Sequence, residues 1–255
     1  MRQLDSINVI REVLSNDNNV KAIFLKGSLA RDDFDEYSDV DLYCMVEENE
    51  LQAFLSKRVS YMEHYRPLIF WQEVNFVGQQ IVGVFDNGLH FDLYTVTPDS
   101  LHMTDEIKIL YDPQGLLSNY KSENLGMSEE EFVEYFNEIS FAILELEAAY
   151  KRHDLIWASR LGSHISGYVA IILRYIYDFE NARLGFKRLN TKLDNEIYKK
   201  LMEGMEFLGP SNVLQGVSLL LEIVNEIINT LPKETSDKIN QKFFYFMFDK
   251  IGALK

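Results

Sequence analysis

Apolar positions recur at helical spacing over residues 3–15, where Leu4, Ile7, Ile10, Val13 and Leu14 fall on one stripe. Asn16-Asp17-Asn18-Asn19 then ends the predicted helix with turn-forming residues. The pattern changes to short apolar runs at 20–25 and 42–46, which read as strands, with a Gly-Ser turn at 27–28 after the first. Residues 48–65 return to a helical stripe of Leu51, Phe54, Leu55 and Val59. Three β-rich runs follow at 68–76, 80–85 and 89–96, the last two flanking Asp86-Asn87-Gly88, a strong hairpin signal. Residues 107–111 read as one more short strand, closed by Asp112-Pro113-Gln114-Gly115. From Ser128 onward the chain reads as helices at 128–151, 154–179, 193–207, 211–231 and 233–250. Ser128 offers a cap and Glu131 completes a capping box; Pro210 and Pro232 stand at the breaks. The last helix, with Phe243, Phe244, Tyr245, Phe246 and Phe248, is apolar nearly all round and reads as core, the preferred reading, or as a dimer seam. The fold class implied is α+β: a mixed sheet with flanking helices over 1–115, then an α-helical bundle over 128–255, with the boundary in 113–127.

Composition adds little to that outline, and charge adds more. The chain has 255 residues, is 47% hydrophobic and has one cysteine, Cys44, on a predicted core strand, which suits a reducing, cytoplasmic setting. No membrane span or signal peptide is expected, since the apolar stretch near 167–177 is broken by Arg174. Acidic residues outnumber basic ones 40 to 25, a formal charge of −15. An enzyme working on long DNA or RNA needs a basic track, which this composition argues against. Asp32, Asp33, Asp35, Glu36, Glu47, Glu48 and Glu50 crowd one segment, which would serve solubility or attract a small cationic ligand.

The candidate chemistry lies in that segment. Asp39 and Asp41 are two apart at the start of a strand and so face the same side. Paired carboxylates repel unless a cation stands between them, and hard oxygen donors of this kind suit Mg²⁺. Asp-x-Asp alone also reads as a solvated strand end. It gains meaning from Gly27-Ser28 eleven residues upstream, where a glycine admits phosphate to the backbone and a hydroxyl donates to it. The combination points to a metal-bound nucleoside triphosphate. On the third strand His90, Asp92 and Tyr94 share a face, so Asp92 is an acid within an apolar strand. It reads as a third carboxylate beside the first two or as an edge-strand residue facing water.

Gly27-Ser28 followed by Asp39-Val40-Asp41 resembles the signature of the DNA polymerase β-like nucleotidyltransferases. The resemblance implies an N-terminal nucleotidyltransferase domain, with metal held by Asp39, Asp41 and a third acid, for which Asp92 is the candidate. Asp92 would serve as metal ligand or as base toward an acceptor hydroxyl. Tyr37-Ser38-Asp39-Val40-Asp41, Phe85-Asp86-Asn87 and Tyr111-Asp112-Pro113 are similar to the antibiotic nucleotidyltransferases that act on aminoglycosides and lincosamides. That likeness implies ATP as donor, AMP transferred to a hydroxyl of a small acceptor, and pyrophosphate released. It also implies a helical domain that closes on substrate and nucleotide. The acidic balance favours a polycationic aminoglycoside, and the motif details a lincosamide. A toxin–antitoxin protein of the same fold, acting on a protein partner, is the alternative.

Charge building on a leaving pyrophosphate calls for cations. Lys187, Arg188 and Lys192 form a compact basic cluster expected either to clamp the phosphates or to be a solvated loop. Arg174 reads as a second candidate or as a buried ion pair. Lys26 and Arg31 flank the Gly-Ser turn and are expected within reach of phosphate. His153 and His164 lack a second ligand at metal spacing and read as structural.

Overall fold

The computed structural model describes residues 1–75 and 78–254. The chain divides into two compact units, Met1–Asn124 and Leu125–Lys255.

In the first unit, helix α1 (Arg2–Ser15) precedes strand β1 (Val20–Leu25), the single turn α2 (Gly27–Ala30) and strand β2 (Val40–Val46). The helix expected over 48–65 is broken into a 3₁₀ turn at Glu48–Glu50, α3 (Leu51–Leu55) and α4 (Arg58–Glu63). The break lets Phe54 and Met62, on separate pieces, both bury fully beneath the sheet. Strands β3 (Leu68–Val74), β4 (Gln79–Phe85), β5 (His90–Val96) and β6 (Lys108–Tyr111) follow. The end of the run expected over 68–76 lies outside the described residues.

Among the described residues the strands form one mixed sheet in the order β3-β4-β5-β2-β1-β6. β2 and β5 run parallel, and every other neighbouring pair is antiparallel. Alternation gives the sheet two different faces. Leu25, Leu42, Cys44, Phe91 and Leu93 point to the side covered by Ile7, Ile10 and Leu14 of α1 and by Phe54 and Met62. Phe24, Tyr43, Met45 and Val96 point to the other, where Leu117, Leu101 and Ile107 cover them. The rings of Phe24, Tyr43 and Tyr94 stack in a row across β1, β2 and β5, at centroid separations of 5.1 and 4.3 Å. Such pairs add about 0.5–1.5 kcal/mol each beyond the area they bury.

In the second unit, α5 (Glu129–Lys151) starts at the capping box expected from sequence, with Glu131 N–H donating to Ser128 Oγ at 3.2 Å. α6 (Leu155–Tyr177) returns against it, and two 3₁₀ turns lead to α7 (Asn195–Glu206) and α8 (Val213–Thr230). α8 is long and apolar enough to cross a membrane, yet most of it is buried as a core helix through Val217, Leu220, Leu221 and Val224. The helix expected over 233–250 is two, α9 (Lys233–Ser236) and α10 (Gln241–Ala253). Asn240 divides them because its side chain caps the second, accepting from Phe243 N–H at 3.2 Å. α10 packs into the core: Phe244, Met247 and Ile251 are enclosed, Phe243, Tyr245 and Phe248 pack against the same cluster, and Phe246 is exposed.

Candidate active site

Asp39 lies one residue ahead of β2, and Asp41 is its second residue. β2 and β5 pair in register, with Asp41 opposite Asp92 and Tyr43 opposite Tyr94. Neighbouring strands run about 4.8 Å apart, so the two carboxylates arise side by side on the face that α1, α3 and α4 do not cover. Asp92 is buried. Strand pairing thus sets Asp92 beside Asp41 in backbone register, with Asp39 one residue outside the ladder.

Sequence reasoning set His90 on this face and gave it no role. Its Nε2 lies 3.0 Å from Asp92 Oδ1, and its Nδ1 lies 3.8 Å from Asp39 Oδ2. The imidazole thus stands between two of the carboxylates. The hydrogen bond to Asp92 raises its pKa; partial burial opposes the shift, and the charges of Asp92, Asp39 and Asp41 add to it. Period two was the available signal, since His90 is two residues from Asp92 on one strand. Burial and the nearby Asp41 charge push the Tyr94 phenol well above its ordinary range.

Gly27 explains the glycine of the Gly-Ser turn. Its φ is +68°, and a Cβ built there would stand 2.4 Å from Asp41 Oδ2. The backbone of the turn comes so close to the carboxylate that only hydrogen fits. Lys26 N–H donates to Asp41 C=O at 3.1 Å, which ties the turn to β2.

Both flanking cations have partners within the first unit. Lys26 is buried, its Nζ donating to the carbonyls of His102 at 2.7 Å and Thr104 at 2.9 Å, over the rings of Tyr43 and Tyr120. Desolvation lowers its pKa. Arg31 donates from Nη1 to Asp105 Oδ2 at 2.5 Å and lies 3.7 Å from Asp33. Sequence reasoning missed Asp105, for which separation along the chain left no signal.

The basic cluster belongs to the second unit. Lys187 is exposed, and Lys192 Nζ lies 3.6 Å from Asp178 Oδ1. Arg174 is buried and ion-paired with Asp178, and its guanidinium also donates to the carbonyls of Gly185, at 3.0 Å, and Lys187. It therefore organises the 185–187 loop as an internal ion pair. His153 occupies the turn between α5 and α6 with φ +60°, its N–H bonded to Tyr150 C=O at 2.9 Å.

The donor set fits a hard divalent cation. Mg²⁺ takes one or two carboxylates and leaves its other positions to water and phosphate oxygens. Asp39 and Asp41 supply such a pair, with the backbone of Gly27 close against the Asp41 carboxylate. Among the described residues no three His, Cys, Asp or Glu side chains converge as a ready-made metal cage.

Residues 7–112, all within the first unit, match the family model of the nucleotidyltransferase domain. No curated protein matches the chain. Among solved structures it is similar to an aminoglycoside 6-adenyltransferase from Bacillus subtilis, at 13% identity and a TM-score of 0.33, over 96% of this chain and 97% of that one. It is also similar to spectinomycin adenyltransferase AAD(9) from Enterococcus faecialis, solved with ATP and spectinomycin. There the identity is 10% and the TM-score 0.37, over 98% of this chain and 99% of that one.

Proposed function

We propose that this chain, an enzyme carrying a nucleotidyltransferase domain over residues 7–112, transfers AMP from ATP to a hydroxyl of a small cationic antibiotic of the aminoglycoside or lincosamide type. Pyrophosphate is the second product, and the modified antibiotic loses its action, so the outcome is resistance. The observation that carries the reading is the in-register pairing of Asp41 with Asp92 beside the Gly27 turn.

Asp39 and Asp41 would hold Mg²⁺, which when bound offsets the negative charge of the triphosphate. Gly27 and Ser28 seat the β- and γ-phosphates through backbone N–H groups and the Ser28 hydroxyl. Asp92 takes the proton from the acceptor hydroxyl as that oxygen bonds to the α-phosphorus and the bond to pyrophosphate breaks. His90 fixes the Asp92 carboxylate through the 3.0 Å hydrogen bond. The acidic residues around the site draw in the cationic acceptor. Arg31 acts indirectly, holding the turn through Asp105.

Pyrophosphate release from Mg-ATP across a panel of aminoglycosides and lincosamides tests this reading, with Asp41→Asn as the control. Release that needs an acceptor, and that falls by at least about a thousandfold in the variant while its circular dichroism is unchanged, is expected. Full activity in Asp41→Asn would refute the assignment.

A further inference from the structure

Asp39 poses a positional problem that the sheet does not solve. The β2–β5 ladder begins at Val40 paired with Phe91, so Asp39 stands one residue outside it. What holds that residue is the start of α1. Gln3 is buried, and its Nε2 donates to the carbonyls of Asp35 at 3.2 Å, Glu36 at 3.1 Å and Ser38 at 2.9 Å, the last adjoining Asp39. Its Oε1 is buried and, among the described residues, accepts no hydrogen bond, so donors alone orient the amide. Arg2 reaches both segments that deliver carboxylates. Its Nη2 donates to Glu36 C=O at 3.2 Å, ahead of β2, and its Nη1 donates to Asn87 C=O at 3.1 Å, ahead of β5. Asn87 Nδ2 donates to Tyr65 Oη at 2.9 Å, and that hydroxyl donates to Arg2 C=O at 3.3 Å, closing the circuit.

We infer that Arg2 and Gln3 are positioning residues that set the spacing between Asp39 and the His90–Asp92 pair. This rests on the transfer reading above, in which Asp39 and Asp41 hold the metal. A planar guanidinium can bridge two carbonyls at fixed separation, which a point-charge ammonium cannot. Both act through backbone carbonyls ahead of β2 and β5.

The test is Mn²⁺ binding in the presence of ATP, followed by the free-ion electron paramagnetic resonance signal, for the full chain and for Gln3→Ala, Arg2→Ala and Arg2→Lys. Outer-sphere supports of metal ligands are worth roughly 10- to 100-fold in metal affinity or activity. We expect the Mn²⁺ dissociation constant to rise about tenfold or more in both alanine variants and kcat to fall with it. The acceptor KM should stay the same, and Arg2→Lys should lie between. Should Gln3→Ala fail to fold, the more superficial Arg2→Ala carries the test. A variant with a lowered melting temperature but wild-type Mn²⁺ affinity and kcat would overturn the inference and leave the transfer reading intact. Wild-type protein that binds no Mn²⁺ with ATP would overturn both.

Discussion

Gly27 shows how tightly a single residue is specified. Alanine there faces a left-handed backbone and, in addition, a Cβ 2.4 Å from Asp41 Oδ2. The backbone term alone costs roughly 1–2 kcal/mol. The contact is relieved by turning the Asp41 carboxylate away, which is the group the reaction needs. Gly27→Ala is therefore expected to lower stability modestly, by about that amount in a urea titration, while transfer falls by two orders of magnitude or more. A variant equally destabilised but fully active would show that the close approach has no part in function. The carboxylates were legible in sequence because a period of two is a backbone property that needs no tertiary information. The fates of Lys26 and Arg31 were not, since their partners, the 102–104 carbonyls and Asp105, come from more than 70 residues away. His90 was in plain view on the correct face, but only packing revealed that it stands between Asp39 and Asp92.

Among the elements, the crossing of α7 and α8 is the most demanding. A Cβ at Gly216 would meet Gly204 O at 2.6 Å and the Phe207 backbone at 2.8 and 2.9 Å. Backbone atoms cannot swing aside as a side chain does, so Gly216→Ala must push the helices apart. Overpacking of this kind costs about 1–3 kcal/mol. The urea midpoint should drop accordingly, and hydrogen exchange should speed up in α7 and α8 while β2 and β5 keep their protection. Loss of protection in those strands instead would contradict the placement of the strain. Element types were readable from periodicity and caps, as with Ser128 and Glu131 at the start of α5. The breaks were not: the stripe over 48–65 continues through the gap at 56–57, and Asn240 looks in sequence like any polar residue on a helix until its side chain is seen capping α10.

For the molecule as a whole, the formal charge of −15 is the dominant long-range property. The Debye length shrinks from about 30 Å at 0.01 M salt to about 10 Å at 0.1 M. If the acidic field gathers a cationic acceptor, the acceptor KM must rise across that range, while kcat and the KM of an uncharged hydroxyl acceptor hold steady. A salt-independent KM for an aminoglycoside would show that local contacts alone capture it. The composition changes character after Met127, past the loop-like run of 113–127, and the division between the two units falls between Asn124 and Leu125.

The parallel partnership of β2 and β5 carries one more consequence. Parallel neighbours cannot be joined by a tight hairpin, so the chain must leave β2 and come back, and residues 47–89 are that return. The return contributes α3, α4, β3 and β4 but none of the three aspartates. Over evolutionary time its loops are where insertions and deletions can accumulate without disturbing the paired acids. One residue added within β2 or β5 would instead turn an aspartate into the apolar core and bring a leucine or phenylalanine to the reacting face. Variation in this lineage should therefore be written in loop length and hardly at all in strand length.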